Sequence, residues 1–214
     1  MIKAVIFDMD GTLIDTEKYY REFWPKALEH FGYHMTDEQV LSIRSLGRPF
    51  APLQFKQWYG EDFDYYKIRD YRTKIMNEHI SKAGISLKPG AKEILQILNE
   101  KGIATAVATA SDLTRTNRYL EQTGIIKYFT KLISATMVNE GKPSPDIYLY
   151  ACEQLGFKPQ ECIAVEDAPN WIISAYKAGC KVIMVPDQTE PDYEISKYLY
   201  ACVDSLEKIS DFLN

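Results

Sequence analysis

Lys3-Ala4-Val5-Ile6-Phe7-Asp8-Met9-Asp10-Gly11-Thr12 is a short apolar run that ends abruptly in two acidic residues, a glycine and a threonine. The run Lys3–Phe7 reads as a strand buried on both faces, because its apolar residues follow one another without a polar alternate. If the strand continues, Asp8 and Asp10 lie on one face, since strand side chains alternate. Two carboxylates so placed repel each other, and a divalent cation relieves the repulsion. Gly11 and Thr12 then form a tight turn whose backbone N–H groups are free to hold an anion. Read alone, the same residues are equally a strand end closed by an Asx turn and a glycine.

Four further runs resemble the first. Ile103–Ala108, Leu132–Ser134, Cys162–Val165 and Lys181–Val185 each read as a buried strand. Helices with recognisable ends lie between them. Pro89-Gly90 precedes Ala91–Glu100, which stops at Gly102. Ser144-Pro145 is an N-cap and N1 pair for a helix closing at Gly156, and Pro169 opens one that ends at Gly179. Strand–helix alternation of this kind predicts an α/β fold with a doubly wound parallel sheet, whose ligands collect at the carboxyl ends of the strands.

Residues 15–86 break the alternation. Phe23, Trp24, Ala27, Leu28 and Phe31 recur at helical spacing, Gly32 ends that helix, and Thr36-Asp37-Glu38 starts another. Seven of the 15 Tyr and five of the nine Phe fall here, enough aromatic surface to give the segment a core of its own. So do Arg21, Arg44, Arg48, Arg69 and Arg72, most of the chain's arginines, each of which is either a solvated charge or a ligand contact. A helical module inserted here would lie over the edge where the first strand delivers its residues.

The 214 residues suit one large domain or a core with an insertion, at ~150 residues per domain. A 46% hydrophobic and 26% charged composition is that of a folded globular protein, not a disordered chain or a fibre. The net charge of −5 argues against a general grip on nucleic acid or an anionic membrane. No apolar run approaches the ~18 residues a membrane span needs, and Asp8 cuts short the N-terminal apolar stretch, which is therefore not a secretory signal. Cys152, Cys162, Cys180 and Cys202 form no C-x-x-C pair and read as buried thiols of a cytoplasmic protein. Nothing in the sequence specifies an oligomeric state.

Three other strand ends carry chemistry. Thr109 follows the run Ile103–Ala108 and offers a hydroxyl, with the small Ala110 leaving its own N–H accessible. Lys142 follows the run Leu132–Ser134, and Glu166 and Asp167 end the run Cys162–Val165. Each alone is an ordinary surface residue. Together with Asp8 and Asp10 they place carboxylates, a cation and a hydroxyl at the carboxyl edge of four parallel strands.

At these residues the chain resembles the haloacid dehalogenase superfamily, and within it the phosphatases and β-phosphoglucomutase-like enzymes with a helical cap. Asp8-Met9-Asp10-Gly11-Thr12 is similar to the first motif, Thr109 to the second, Lys142 to the third and Glu166-Asp167 to the fourth. The resemblance implies a Rossmann-like core of residues 1–14 and 87–214 with an all-α cap of residues 15–86. It implies that Asp8 attacks phosphorus to form an aspartyl-phosphate and that Asp10 serves as acid and then base. It further implies that Asp8, Gly11, Thr109, Ala110 and Lys142 bind the substrate phosphate. Mg²⁺ is the implied cofactor, held by Asp8, the main-chain carbonyl of Asp10, Asp167 and, through water, Glu166. The implied partner is a small phosphorylated metabolite such as a sugar phosphate, with Tyr20, Arg48, Arg69 and Arg72 as cap residues facing it.

The chain departs from the family pattern in two places. Ala168 stands where the family usually has serine, and Trp171 where it has glycine, so the loop at the fourth motif must differ. A mutase would want a histidine near position 20 and a basic cap residue on the phosphate. This chain has Tyr20, and its loop reads Gly47-Arg48-Pro49, although Arg69 or Arg72 offers an alternative charge. These features favour a phosphatase over a mutase. A phosphorylatable receiver-like switch also gathers acids, a threonine and a lysine at strand ends, but takes its phosphorylated aspartate from a later strand and lacks an insertion of this length.

Overall fold

The structure, a computed structural model, describes residues 1–44, 46 and 50–213. The chain divides into two compact units, Met1–Asp15 with Ser86–Asn214, and Thr16–Ile85. In chain order, β1 (Ala4–Phe7) is followed by four helices, α1 (Glu17–His30), α2 (Asp37–Ile43), α3 (Phe50–Tyr59) and α4 (Tyr65–Ala83). Then come α5 (Ala91–Glu100), β2 (Ala104–Thr109), α6 (Leu113–Gln122), β3 (Lys131–Ser134) and α7 (Asp146–Leu155). The chain closes with β4 (Cys162–Glu166), α8 (Pro169–Ala178), β5 (Lys181–Met184), α9 (Tyr193–Ser196) and β6 (Ala201–Cys202).

The six strands form one parallel sheet in the order β3-β2-β1-β4-β5-β6. This is a doubly wound α/β fold, and its strand order reverses at β1. Phe7 pairs with Val107 on one side and Val165 on the other, so β1 is central and none of its residues reaches solvent. Ala4 and Ile6 turn to one face, where they pack with Ala106 and Ala108 against Tyr148 of α7 and Ile172 of α8. Val5 and Phe7 turn to the other face. Right-handed crossovers from β1 to β2 to β3 put α5 and α6 there, and they pack on β2 and β3.

Several local details differ from the sequence reading. The helix opened by residues 144 and 145 begins at Asp146, with Pro145 as its N-cap, and the Ser144 hydroxyl donates to the Asp146 carboxylate at 2.8 Å instead of capping the backbone. The two-residue β6 carries too little pattern to be read from sequence. Cys202 lies in that edge strand and is exposed, in contrast to the other three cysteines, which are buried; all four are free thiols.

The unit Thr16–Ile85 contains only helices and turns among its described residues. Trp24, Leu28, Met35, Phe55 and Ile68 anchor its own apolar core, so the aromatic wealth of the segment is accounted for by packing. Thr36 starts α2 with a reciprocal capping box: its hydroxyl accepts from the Gln39 N–H, and the Gln39 side chain accepts from the Thr36 N–H. The two points where the other unit's chain breaks off are adjacent. Ile14 forms an antiparallel bridge with Leu87, and the Asp15 N–H donates to the Ser86 carbonyl at 2.9 Å.

Candidate active site

Of the side chains singled out at the strand ends, Asp8, Lys142, Glu166 and Asp167 converge where the strand order reverses. Strand β1 ends at Phe7, the backbone N–H of Asp8 still donates to the Val165 carbonyl of β4 at 3.0 Å, and the Asp8 residue is buried. The strand does not continue through Asp10. Gly11 adopts φ 87°, a left-handed conformation favourable to glycine, and bends the chain into a turn closed by bonds from Leu13 and Ile14 to the Met9 carbonyl. Asp8 and Asp10 have different partners: the buried Asp8 accepts from Lys142, whereas Asp10 accepts from Arg115 of α6. The N–H of Gly11 is not free for an anion, since it donates to the Ile14 carbonyl at 2.9 Å. The tight turn expected at Gly11 and Thr12 forms, but tight turns close by such bonds, so the glycine N–H is taken up within the chain.

Lys142 reaches into the same space from the loop after β3. Its Nζ donates to Asp8 Oδ1 at 3.2 Å, to Glu166 Oε1 at 2.8 Å and to the Ala108 carbonyl at 3.3 Å, using all three of its N–H bonds. The ammonium also lies 2.8 Å from the centroid of the Trp171 ring. The tryptophan at the fourth motif thus covers the buried lysine, a role that its position in the sequence did not indicate. Thr109 ends β2 and is buried; its hydroxyl oxygen accepts from the Ser111 N–H at 3.1 Å and retains its own proton to donate. Ala110 follows at an exposed position.

Asp8, Glu166 and Asp167 bring carboxylate oxygens within 4.8 Å of one another, and all three residues are buried. The Thr12 hydroxyl donates to Asp167 Oδ1 at 3.4 Å, so the threonine of the first motif serves the fourth. Glu166 Oε2 is buried without a hydrogen-bond partner. Three carboxylates beside one ammonium leave an excess of negative charge. Burial raises the Asp8 carboxyl from 3.8 to about 7; Lys142 opposes the rise, while Asp167 and Asp10 add to it. Burial likewise lifts Glu166 well above the ordinary carboxylate range, again against Lys142 and with Asp8 and Asp167 reinforcing. The orphaned Glu166 oxygen, the all-oxygen donor set and the surplus charge together fit a hard divalent cation.

A stability prediction follows from these shifts. A folded-state value above the unfolded one means that Asp8 favours the folded state least once it ionises, so its contribution is lost as pH rises through about 4 to 7, and the upward shift of Glu166 acts in the same direction. A divalent cation held there would offset the ionised charge. Thermal melts in EDTA and in excess Mg²⁺ are expected to differ by several degrees at about pH 8 and to converge near about pH 5. An equal Mg²⁺ shift at both pH values would show that these carboxylates do not hold the ion.

Asp10 stands apart from the three-carboxylate group. Its Oδ1 accepts from Arg115 Nη2 at 2.7 Å and its Oδ2 from the Ser111 hydroxyl at 3.0 Å. Neither Ser111 nor Arg115 was visible as a site residue in the sequence. The available signal was their place, one just after the Thr109 strand end and the other in the first turn of the helix that follows.

Of the four cap candidates, Tyr20 and Arg72 come together. The Arg72 guanidinium packs 4.7 Å from the Tyr20 ring centroid and 4.5 Å from that of Trp24, within the helical unit. Arg69 does not join them: it pairs with Asp70 at 2.8 Å and packs over Tyr66. Arg48 lies outside the described residues.

A parallel sheet with buried carboxylates and a lysine at its reversal point defines a class of α/β enzyme, and comparison with known proteins places it. The family model described as haloacid dehalogenase-like hydrolase matches residues 5–185. The hexitol phosphatase A of Escherichia coli is 32% identical over 215 residues, covering 97% of this chain and 93% of that protein. The phosphorylated carbohydrates phosphatase of Thermotoga maritima is 30% identical over 190 residues, covering 85% and 84%. In fold, the crystal structure of a β-phosphoglucomutase from Clostridium difficile superimposes with a TM-score of 0.83 over 98% of this chain and 93% of that one, at 24% identity. The chain belongs to the haloacid dehalogenase-like hydrolases.

Proposed function

We propose that the protein is a Mg²⁺-dependent phosphatase of small phosphorylated metabolites, sugar or sugar-alcohol phosphates foremost, working through an aspartyl-phosphate on Asp8. Membership of this family, among relatives named as phosphatases, makes the chain a phosphoric monoester hydrolase. The observation that carries the finer reading is the buried Lys142 ammonium bound to Asp8 and Glu166 beside Asp167. Such a cluster is costly to maintain for stability alone.

Asp8, the Asp10 main-chain carbonyl, Asp167 and Glu166 would hold the metal. When bound, it neutralises charge on the carboxylates and on the phosphoryl oxygens. In the first step an Asp8 carboxylate oxygen forms a bond to phosphorus as the ester P–O bond breaks. The departing alkoxide takes a proton from Asp10. Lys142 keeps Asp8 oriented and balances its charge, while the Thr109 hydroxyl donates to a non-bridging oxygen as charge shifts. In the second step Asp10 accepts a proton from water, which attacks phosphorus and frees Asp8 and inorganic phosphate. The assignments of Tyr20 and Arg72 to substrate choice, of the core and cap roles to residues 1–14 with 87–214 and 15–86, and of a cytoplasmic location are part of this proposal. Among the described residues no helix is long and apolar enough to cross a membrane.

The test is a panel of phosphorylated sugars and sugar alcohols with Mg²⁺, scored for inorganic phosphate, with β-glucose 1-phosphate included with and without a bisphosphate activator. Repeated turnover to free phosphate is expected. An isomerised sugar phosphate in its place would select the mutase, and a single labelling event without turnover would select the receiver-like switch.

A further inference from the structure

The grip on Asp10 is more elaborate than an acid–base aspartate needs for burial. Arg115 Nη2 holds Oδ1 at 2.7 Å and the Ser111 hydroxyl holds Oδ2 at 3.0 Å, so both rotatable bonds of the aspartate are fixed. The two holders are themselves fixed. The Arg115 N–H donates to the Asp112 cap at the start of α6 at 2.9 Å, and its guanidinium lies 5.0 Å from the ring centroid of the buried Tyr119. The Ser111 N–H donates to Thr109 Oγ1 at 3.1 Å, and its carbonyl accepts from the Ser134 hydroxyl of β3 at 2.7 Å. One loop and one helix turn therefore supply both the Thr109 hydroxyl and the brace on Asp10.

We propose that Arg115 and Ser111 are positioning residues that set Asp10 as the acid–base group, an inference that rests on the role given to Asp10 above. Their chemistry also assigns the oxygen that carries the proton. A guanidinium only donates, so Oδ1 facing Arg115 remains an acceptor. A serine hydroxyl donates or accepts, so Oδ2 facing Ser111 holds the transferable proton or releases it without losing its partner. The brace thus presents one defined oxygen to the leaving group instead of a freely turning carboxyl.

The test compares p-nitrophenyl phosphate with phenyl phosphate, two esters of nearly the same shape whose leaving groups need protonation to different degrees, using kcat/KM to read the first phosphoryl transfer. Arg115→Met is expected to lose about 10²-fold on phenyl phosphate and only a few-fold on p-nitrophenyl phosphate. Arg115→Lys should recover part of the loss, and Ser111→Ala should show the same bias at smaller amplitude. In an Asp10→Asn background Arg115→Met should add little, since residues acting as a unit are not additive. Equal losses on both esters, or a full additional loss in the Asp10→Asn background, would overturn the proposal. If Asp10→Asn shows the leaving-group bias but Arg115→Met and Ser111→Ala match the wild type, this inference alone fails. If Asp10→Asn itself lowers both esters equally, the acid–base reading fails with it.

Discussion

Asp8→Asn is expected to lower steady-state phosphate release by about 10⁴-fold or more in saturating Mg²⁺, since it removes the nucleophile we propose while keeping the shape of the side chain. The fold should survive. Lys142 keeps Glu166 and the Ala108 carbonyl as acceptors, and the substitution deletes a carboxylate that burial pushes up to about 7. Melting at neutral pH without metal should therefore be unchanged or higher than in the wild type. Rapid quench with labelled substrate should find no acid-stable phosphoenzyme. Metal-dependent turnover above about 1% of wild type, once contamination is excluded by an independent preparation, would remove Asp8 from the role given to it.

Lys142→Met is expected to damage both stability and turnover. The substitution keeps an apolar stem against Trp171 and removes the positive charge that stands between Asp8 and Glu166. Breaking a buried pair by deleting one partner costs about 3–5 kcal/mol. The loss should be larger at about pH 8 without metal, above the value of about 7 to which burial lifts Asp8, and smaller near about pH 5, where Asp8 takes up a proton. Turnover should fall by about 10³-fold, with only part regained in high Mg²⁺, because a diffusible ion does not orient Asp8 as the tethered ammonium does. Urea unfolding across this pH range, paired with phosphate release, reads both effects. A metal-free variant as stable as wild type at about pH 8 would mean that Lys142 does not offset the carboxylate charge.

Much of the fold was readable because the strands are buried on both faces. Ala4–Phe7 and Cys162–Val165 carry no solvent-facing alternation, so unbroken apolar runs marked them, and the helices on either side of the second run end at Gly156 and Gly179 in left-handed caps. The residues Asp8, Lys142, Glu166 and Asp167 were readable by position, since strand ends of a parallel sheet share one edge, and the structure brings them together. What stayed hidden depends on the turn and on side-chain reach. The turn after Asp10 engages a Gly11 N–H that looked free, and Asp8 and Asp10 take different partners. Arg115 resembles any helix-surface arginine until the fold places it beside Asp10. Trp171 stood out as a departure, yet its position over Lys142 depends on how α8 begins, which no local pattern encodes.

The bridge between Ile14 and Leu87, with the Asp15–Ser86 bond beside it, means that the excursion of some seventy residues starts and finishes at a single doorway. A whole module can thus be exchanged there as a cassette without cutting any strand of the sheet. Such a joint lets the reacting groups stay constant while the appended piece diversifies, and a short loop spliced across the same two neighbours is the minimal chimera.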